Sequence, residues 1–124
     1  MKQAISSAAA PAAIGPYSQA IRSGNLIFVS GMLGIDTTDG SLKPTVEAQA
    51  EQALKNLAAV LKEAGTDTSA VLKTTVFLTD MGAFASVNEI YARFFTAPFP
   101  ARSCVQVSAL PKGGLFEIEA VASI

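Results

Sequence analysis

The sequence predicts an α+β fold in which one sheet carries two helices on a single face. Two amphipathic stretches, one stopping at Gly65 and the other before Pro98, alternate with β-branched and aromatic runs in the order strands, helix, strand, helix, strands. No linker and no internal repeat interrupts that order. A chain of 124 residues has the size of one domain, so residues 1–124 are read as a single domain.

Asn25 to Leu33 (NLIFVSGML) is rich in Ile, Phe, Val and Leu and lies between Gly24 and Gly34-Ile35-Asp36, which marks a strand. The DTTDGSLKP segment then makes a turn. Thr45 is placed to cap a helix running to about Ala64, with Val46, Ala50, Leu54, Leu57, Leu61 and Ala64 on one stripe and Gly65 as the stop. Glu51 and Lys55 form an i,i+4 pair on its polar side. Val71 to Leu78 is a second strand, and Asp80 caps a second helix whose buried stripe is Phe84, Val87, Ile90, Tyr91, Phe94 and Phe95. Pro98 and Pro100 end that helix. ARSCVQVSAL, from Ala101, is a strand closed by Pro111-Lys112-Gly113-Gly114, and LFEIEAVASI is the last strand. Two helices cover one face of a sheet, yet the strands carry apolar residues on both, Val76 and Leu78 opposite Val71 and Phe77. The cover expected for the second face is another copy of the chain, which predicts a homo-oligomer.

Composition excludes several functions. Nine basic and ten acidic residues, with no Lys/Arg cluster, lack the electrostatic footprint that nucleic acid requires. No apolar run approaches the roughly 18 residues of a membrane span, and no signal peptide is evident, so the expected compartment is cytoplasmic. The single Cys104 forms no internal disulfide and no Cys-rich zinc site. The chain contains no histidine, which removes Ser-His-Asp and Cys-His nucleophile pairs and His-ligated zinc. No paired acidic loop motif suggests a metal, and Gly113-Gly114 lacks the spacing of a phosphate cradle.

Arg102 and Cys104, two apart in a strand, share a face, with Ser103 and Val105 on the other. A guanidinium among apolar neighbours needs a partner: a ligand anion, or an ion pair with Glu117 or Glu119. Those two glutamates share a face of the last strand, opposite Ile118 and Ala120, which should meet the helices. They are either acid/base groups or exposed strand glutamates. Cys104 lacks a histidine base and reads as a small hydrophobe.

The blocks GPYSQA (15–20), VSG (29–31), VNEIY (87–91), FPARSCVQV (99–107) and EIEA (117–120) together resemble the RidA family of reactive intermediate deaminases, also called the YjgF family, over essentially the whole chain. The resemblance implies a chorismate-mutase-like α+β subunit with a mixed sheet, a homotrimer with clefts between subunits, and a cofactor-free hydrolysis. The substrates it implies are 2-imino and enamine acids, such as 2-aminoacrylate or 2-iminobutanoate, which yield 2-keto acids and ammonia. Position by position it implies Arg102 as the carboxylate-binding arginine, Cys104 as the family's cysteine and Glu119 as its acidic residue; proton transfer is then expected of Glu119, with Glu117 the solvated or ion-paired one, and the backbone carbonyl of Cys104 is the group expected to orient the attacking water. Tyr17, Ser30, Gly31 and Asn88 match further cleft positions. Met32 departs from the Gln that many relatives carry, which bears on substrate preference. The competing readings are a trimer that binds small carboxylates without turnover and, against the charge balance and the missing histidines, a ribonuclease.

Overall fold

A computed structural model describes residues 1–124. The strands β1 (Lys2–Ile5), β2 (Ala20–Ser23), β3 (Leu26–Leu33), β4 (Val71–Leu78), β5 (Ala101–Gln106) and β6 (Phe116–Ser123) form one sheet in the order β1-β2-β3-β6-β4-β5. Every pair is antiparallel except β4 and β5, which run parallel and are joined through helix α2 (Phe84–Tyr91). Helix α1 (Val46–Glu63) connects β3 to β4. The sheet is therefore mixed, and both helices contribute to one core on one of its faces.

The sequence specifies α1 at both ends. Thr45 Oγ1 accepts the Ala48 N–H at 3.1 Å. At the other end the Thr66 N–H donates to the Leu61 carbonyl and the Gly65 N–H to that of Lys62, with Gly65 at φ +87°, a left-handed cap that favours glycine. Ala50, Ala53, Leu54, Leu57, Val60 and Leu61 are buried against Ile27, Val76, Leu78, Phe116 and Ile118 of the sheet. Two buried polar side chains of α1 reach outward to order the connections. Asn56 Nδ2 donates to the carbonyls of Leu33 (3.1 Å) and Ile35 (3.0 Å). Gln49 donates to the Lys43 carbonyl (2.9 Å) and accepts the Leu115 N–H (2.7 Å). The chain entering β6 is thereby tied to the helix.

The structure corrects five expectations. Two strands were not predicted, β1 and β2, which add to the β3 edge. Their four-residue segments are short, and only Ile5 and Ile21 among them carry large apolar side chains. Asp80 caps a short 3-10 turn rather than α2 itself, and α2 ends at Tyr91, where i→i−3 bonds from Arg93 and Phe94 tighten the chain. Phe95 stays in the core although it lies beyond the helix. Strand β5 ends at Gln106 instead of reaching Leu110. Val71 is buried with Val76 and Leu78, because a register shift between Val71 and Lys73 reverses its parity.

Val105 (42% exposed) and Phe28 (45%) lie on the face turned away from the helices, and Phe77 and Val121 there are half-buried. No helix is long and apolar enough to cross a membrane.

Gly34 lies directly on the Gln49 backbone, so an added methyl would fall well inside contact distance of main-chain atoms that cannot swing away. Gly34→Ala should cost about 1–3 kcal/mol or more, read as a lower urea midpoint at fixed protein concentration.

Candidate functional site

An open cleft of about 1330 Å³ lies between the N-terminal loop, the bulged end of β3 and β6. Its wall of small and apolar residues, which includes Ala10, Pro11, Ile14, Met32 and Ile35, is held by Gln19. The buried amide of that residue donates to the carbonyls of Ser7 (3.1 Å) and Pro11 (2.7 Å) and accepts the Ser7 N–H (2.7 Å). Ser30 donates its hydroxyl to the Ser18 carbonyl at 2.6 Å, which binds the 15–19 turn to β3 and sets Tyr17, 53% exposed, at the cleft.

The strand register explains the floor. Val29 pairs with Ala120 and Met32 with Ile118, so β3 places two residues, Ser30 and Gly31, where β6 has only Glu119. Such a bulge bends the strand and re-aims its side chains. Gly31 has no side chain there, and Glu117 fills the space: a Cβ on Gly31 would stand 2.5 Å from Glu117 Oε2. Glu117 is half-buried and its carboxyl is held above the usual range, first by burial and then by the charge of Glu119. Glu119 is exposed, while Glu117 is half-buried and has no ion pair, so Glu117 is neither the solvated nor the ion-paired member that the sequence led us to expect.

Arg102 belongs to a different surface. It pairs with Thr74 along β4, as Cys104 does with Val76 and Ser103 with Thr75, while Thr75 also pairs with Glu119. Arg102 and Cys104 thus share the helix side of the sheet, and Glu117 and Glu119 the other side. The guanidinium donates from Nη1 to Asn88 Oδ1 at 2.7 Å, and its central carbon lies 4.8 Å from the Tyr91 ring centre and 5.4 Å from that of Phe84. The one ion pair of the chain is Lys43–Asp36, so Arg102 is not spent on Glu117 or Glu119. Cys104 packs half-buried against the core; burial pushes its thiol pKa up, only partly opposed by Arg102, which disfavours a thiolate.

The predicted residues fall into two groups. Tyr17, Ser30, Gly31 and Glu119 line the cleft, and Arg102, Asn88 and Cys104 sit at the β5–α2 edge. Sequence reasoning placed Glu117 in the wrong surroundings and read Phe84 and Tyr91 only as core. The available signal was the spacing 84, 88, 91, which puts an amide between two aromatics on one helical stripe.

These features define a class: a small α+β protein carrying a seated guanidinium on one side of its sheet and a carboxylate-lined cleft on the other. The chain belongs to the family described as Endoribonuclease L-PSP, whose sequence profile matches residues 7–124, the grouping that holds the RidA and YjgF proteins. It is 51% identical over 123 residues to the 2-iminobutanoate/2-iminopropanoate deaminase of Mus musculus, covering 98% of this chain and 91% of that protein. The structure of RidA from an Antarctic Psychrobacter superposes with a TM-score of 0.96 at 45% identity, over 98% of this chain and 99% of the other. E. coli TdcF with bound serine superposes at 0.94 and 39% identity, over 98% of each chain.

Glu117 should titrate above the ordinary glutamate value of 4.5, resolvable by carboxyl NMR. Between that value and its raised pKa the folded chain keeps a proton that the unfolded chain has released, so stability falls as pH rises through this window. Glu117→Gln should remove that slope from a pH series of unfolding curves; an unchanged slope would assign it to other groups.

Proposed function

We propose that the protein hydrolyses 2-imino acids to 2-keto acids and ammonia, at sites where the cleft of one copy receives Arg102 of another. The observation that carries the reading is the pairing of an unspent guanidinium with a carboxyl of raised pKa on opposite sides of one sheet. Within its own cleft Lys112 is the only basic side chain, against Asp36, Glu63, Glu117 and Glu119, so an anionic substrate needs a cation brought from outside. The uncovered face with Phe28 and Val105 supplies apolar area for that contact. Because the two half-sites are different surfaces, the contact is head-to-tail, and closing it gives a ring; three copies is the number that the family resemblance implies. The family membership and the deaminase name of a relative 51% identical support the reaction class, and the serine in the TdcF structure supports a small amino-acid-like ligand.

Arg102 grips the substrate carboxylate through two parallel charge-assisted bonds and holds C2 of the imine over the cleft floor. Water attacks C2, and its proton passes to a carboxylate. The same carboxyl then protonates the nitrogen of the resulting carbinolamine, and as the C2–N bond breaks and ammonia leaves, the hydroxyl proton on C2 returns to the carboxylate to give the keto acid. A carboxyl pKa displaced toward neutrality suits both transfers. We assign that role to Glu117 in place of Glu119, because Glu117 is the enclosed one and lies against Gly31. Tyr17 and Ser30 shape the cleft wall, and Cys104 acts through the backbone of the edge strand β5, orienting the water with its carbonyl. Enamines enter after tautomerising to imines. The nuclease in the family's description finds little support in a chain of net charge −1 without histidine.

The test supplies imino acids in situ with an amino-acid oxidase and follows keto acid and ammonia. Arg102→Ala should slow the wild-type reaction about 100-fold, Glu117→Gln about 10²–10⁴-fold, and Glu119→Gln less than about tenfold. If Glu119→Gln is the inactive variant and Glu117→Gln is not, the role returns to Glu119. If the wild type matches the uncatalysed rate, the chain binds carboxylates without turning them over.

A further inference from the structure

Arg102 reaches its place without a carboxylate neighbour, and what holds it instead is one stripe of α2. Phe84, Asn88 and Tyr91 stand at i, i+4 and i+7, so the helix presents all three on the same side, toward β5. Asn88 takes one of the five guanidinium N–H groups at 2.7 Å, and the central carbon lies over the rings of Tyr91 and Phe84. Tyr91 is itself fixed: its hydroxyl is 2.8 Å from Thr74 Oγ1, which is fully buried, and its ring centre lies 4.6 Å from that of Phe95. Thr74 is the direct strand neighbour of Arg102, so the tie closes on itself through β4, β5 and α2.

Every member of this seat is uncharged. An amide acceptor and two ring faces fix the direction of the guanidinium while leaving its full charge and its remaining N–H groups for an anion. A carboxylate in the same place would hold Arg102 at least as firmly but would neutralise it. We infer that Phe84, Asn88 and Tyr91 are positioning residues, a neutral seat that aims Arg102 at the substrate carboxylate without quenching it. The inference rests on the carboxylate-binding role proposed for Arg102.

The decisive variant is Asn88→Asp, which keeps the shape and the hydrogen bond and adds only the charge. A purely structural seat predicts a protein as stable as the wild type, or more so, with ligand binding unchanged. The neutral-seat account predicts equal or higher stability together with at least about tenfold weaker binding of 2-oxobutanoate in titration calorimetry and a matching loss of imine hydrolysis. Phe84→Leu should weaken binding by about 2–5-fold and Phe84→Tyr should restore it, since the ring face and not the bulk is used. Wild-type binding by Asn88→Asp, or Phe84→Leu and Phe84→Tyr behaving alike, overturns the seat while leaving the hydrolase intact. A wild-type protein that neither binds 2-oxobutanoate nor accelerates hydrolysis removes the function beneath it, and the seat with it.

Discussion

Strand alternation decides where chemistry can happen in this molecule. Strand β6 turns Phe116, Ile118, Ala120 and Ala122 into the core under the helices, so Glu117 and Glu119 must face the other way. Strand β5 turns Arg102 and Cys104 toward α2 by the same rule, two strands away in the same sheet. One sheet therefore separates the groups to which the proposed reaction assigns the carboxylate and the proton, by the thickness of its own backbone. A single chain cannot bring them together without inverting a strand, whereas a second copy approaching through the uncovered face and the β5 edge, as proposed above, would bring them together by docking alone.

The two surfaces are prepared by different means. On the cleft side the backbone does the placing: the bulge at Ser30 and Gly31 clears a space, Gln19 holds the facing wall, and Glu117 lies in the space with its charge disfavoured by burial. On the edge side the side chains do it, with a hydrogen bond and two aromatic faces around a guanidinium that keeps its charge. Helix α1 links both sides to the core, since Asn56 and Gln49 tie the segments that leave β3 and enter β6.

The parts of the fold legible in the sequence are those where local signals agree with one another. Thr45 and Gly65 bracket α1, and β4 matches its predicted span, Val71–Leu78. The parts that were not legible depend on partners distant in sequence. KQAI and AIRS become strands because they pair with each other and with β3, a long-range gain that a four-residue window does not contain. The apolar run through Phe95 suggests a longer α2, yet Phe94 and Phe95 pack from a turn just as well. At the site, alternation revealed that Glu117 and Glu119 share a face. Their depth, which separates their chemistry, comes from the bulge and Gly31 on another strand. The family blocks picked out residues of both surfaces and implied clefts between subunits, while the side of the sheet on which each residue falls came only from the strand register.

Each proposed site takes Arg102 from one copy and its carboxyl from another, and mixing subunits tests this most directly. Arg102→Ala and Glu117→Gln proteins, each inactive alone, are unfolded together, refolded as mixed oligomers and assayed for imine hydrolysis. A head-to-tail site predicts that about a quarter of the wild-type activity returns, because random assembly brings an intact Arg102 against an intact Glu117 at about one contact in four. Mixed oligomers, verified by mass, that stay as inactive as their parents would contradict the account and return the whole site to a single chain.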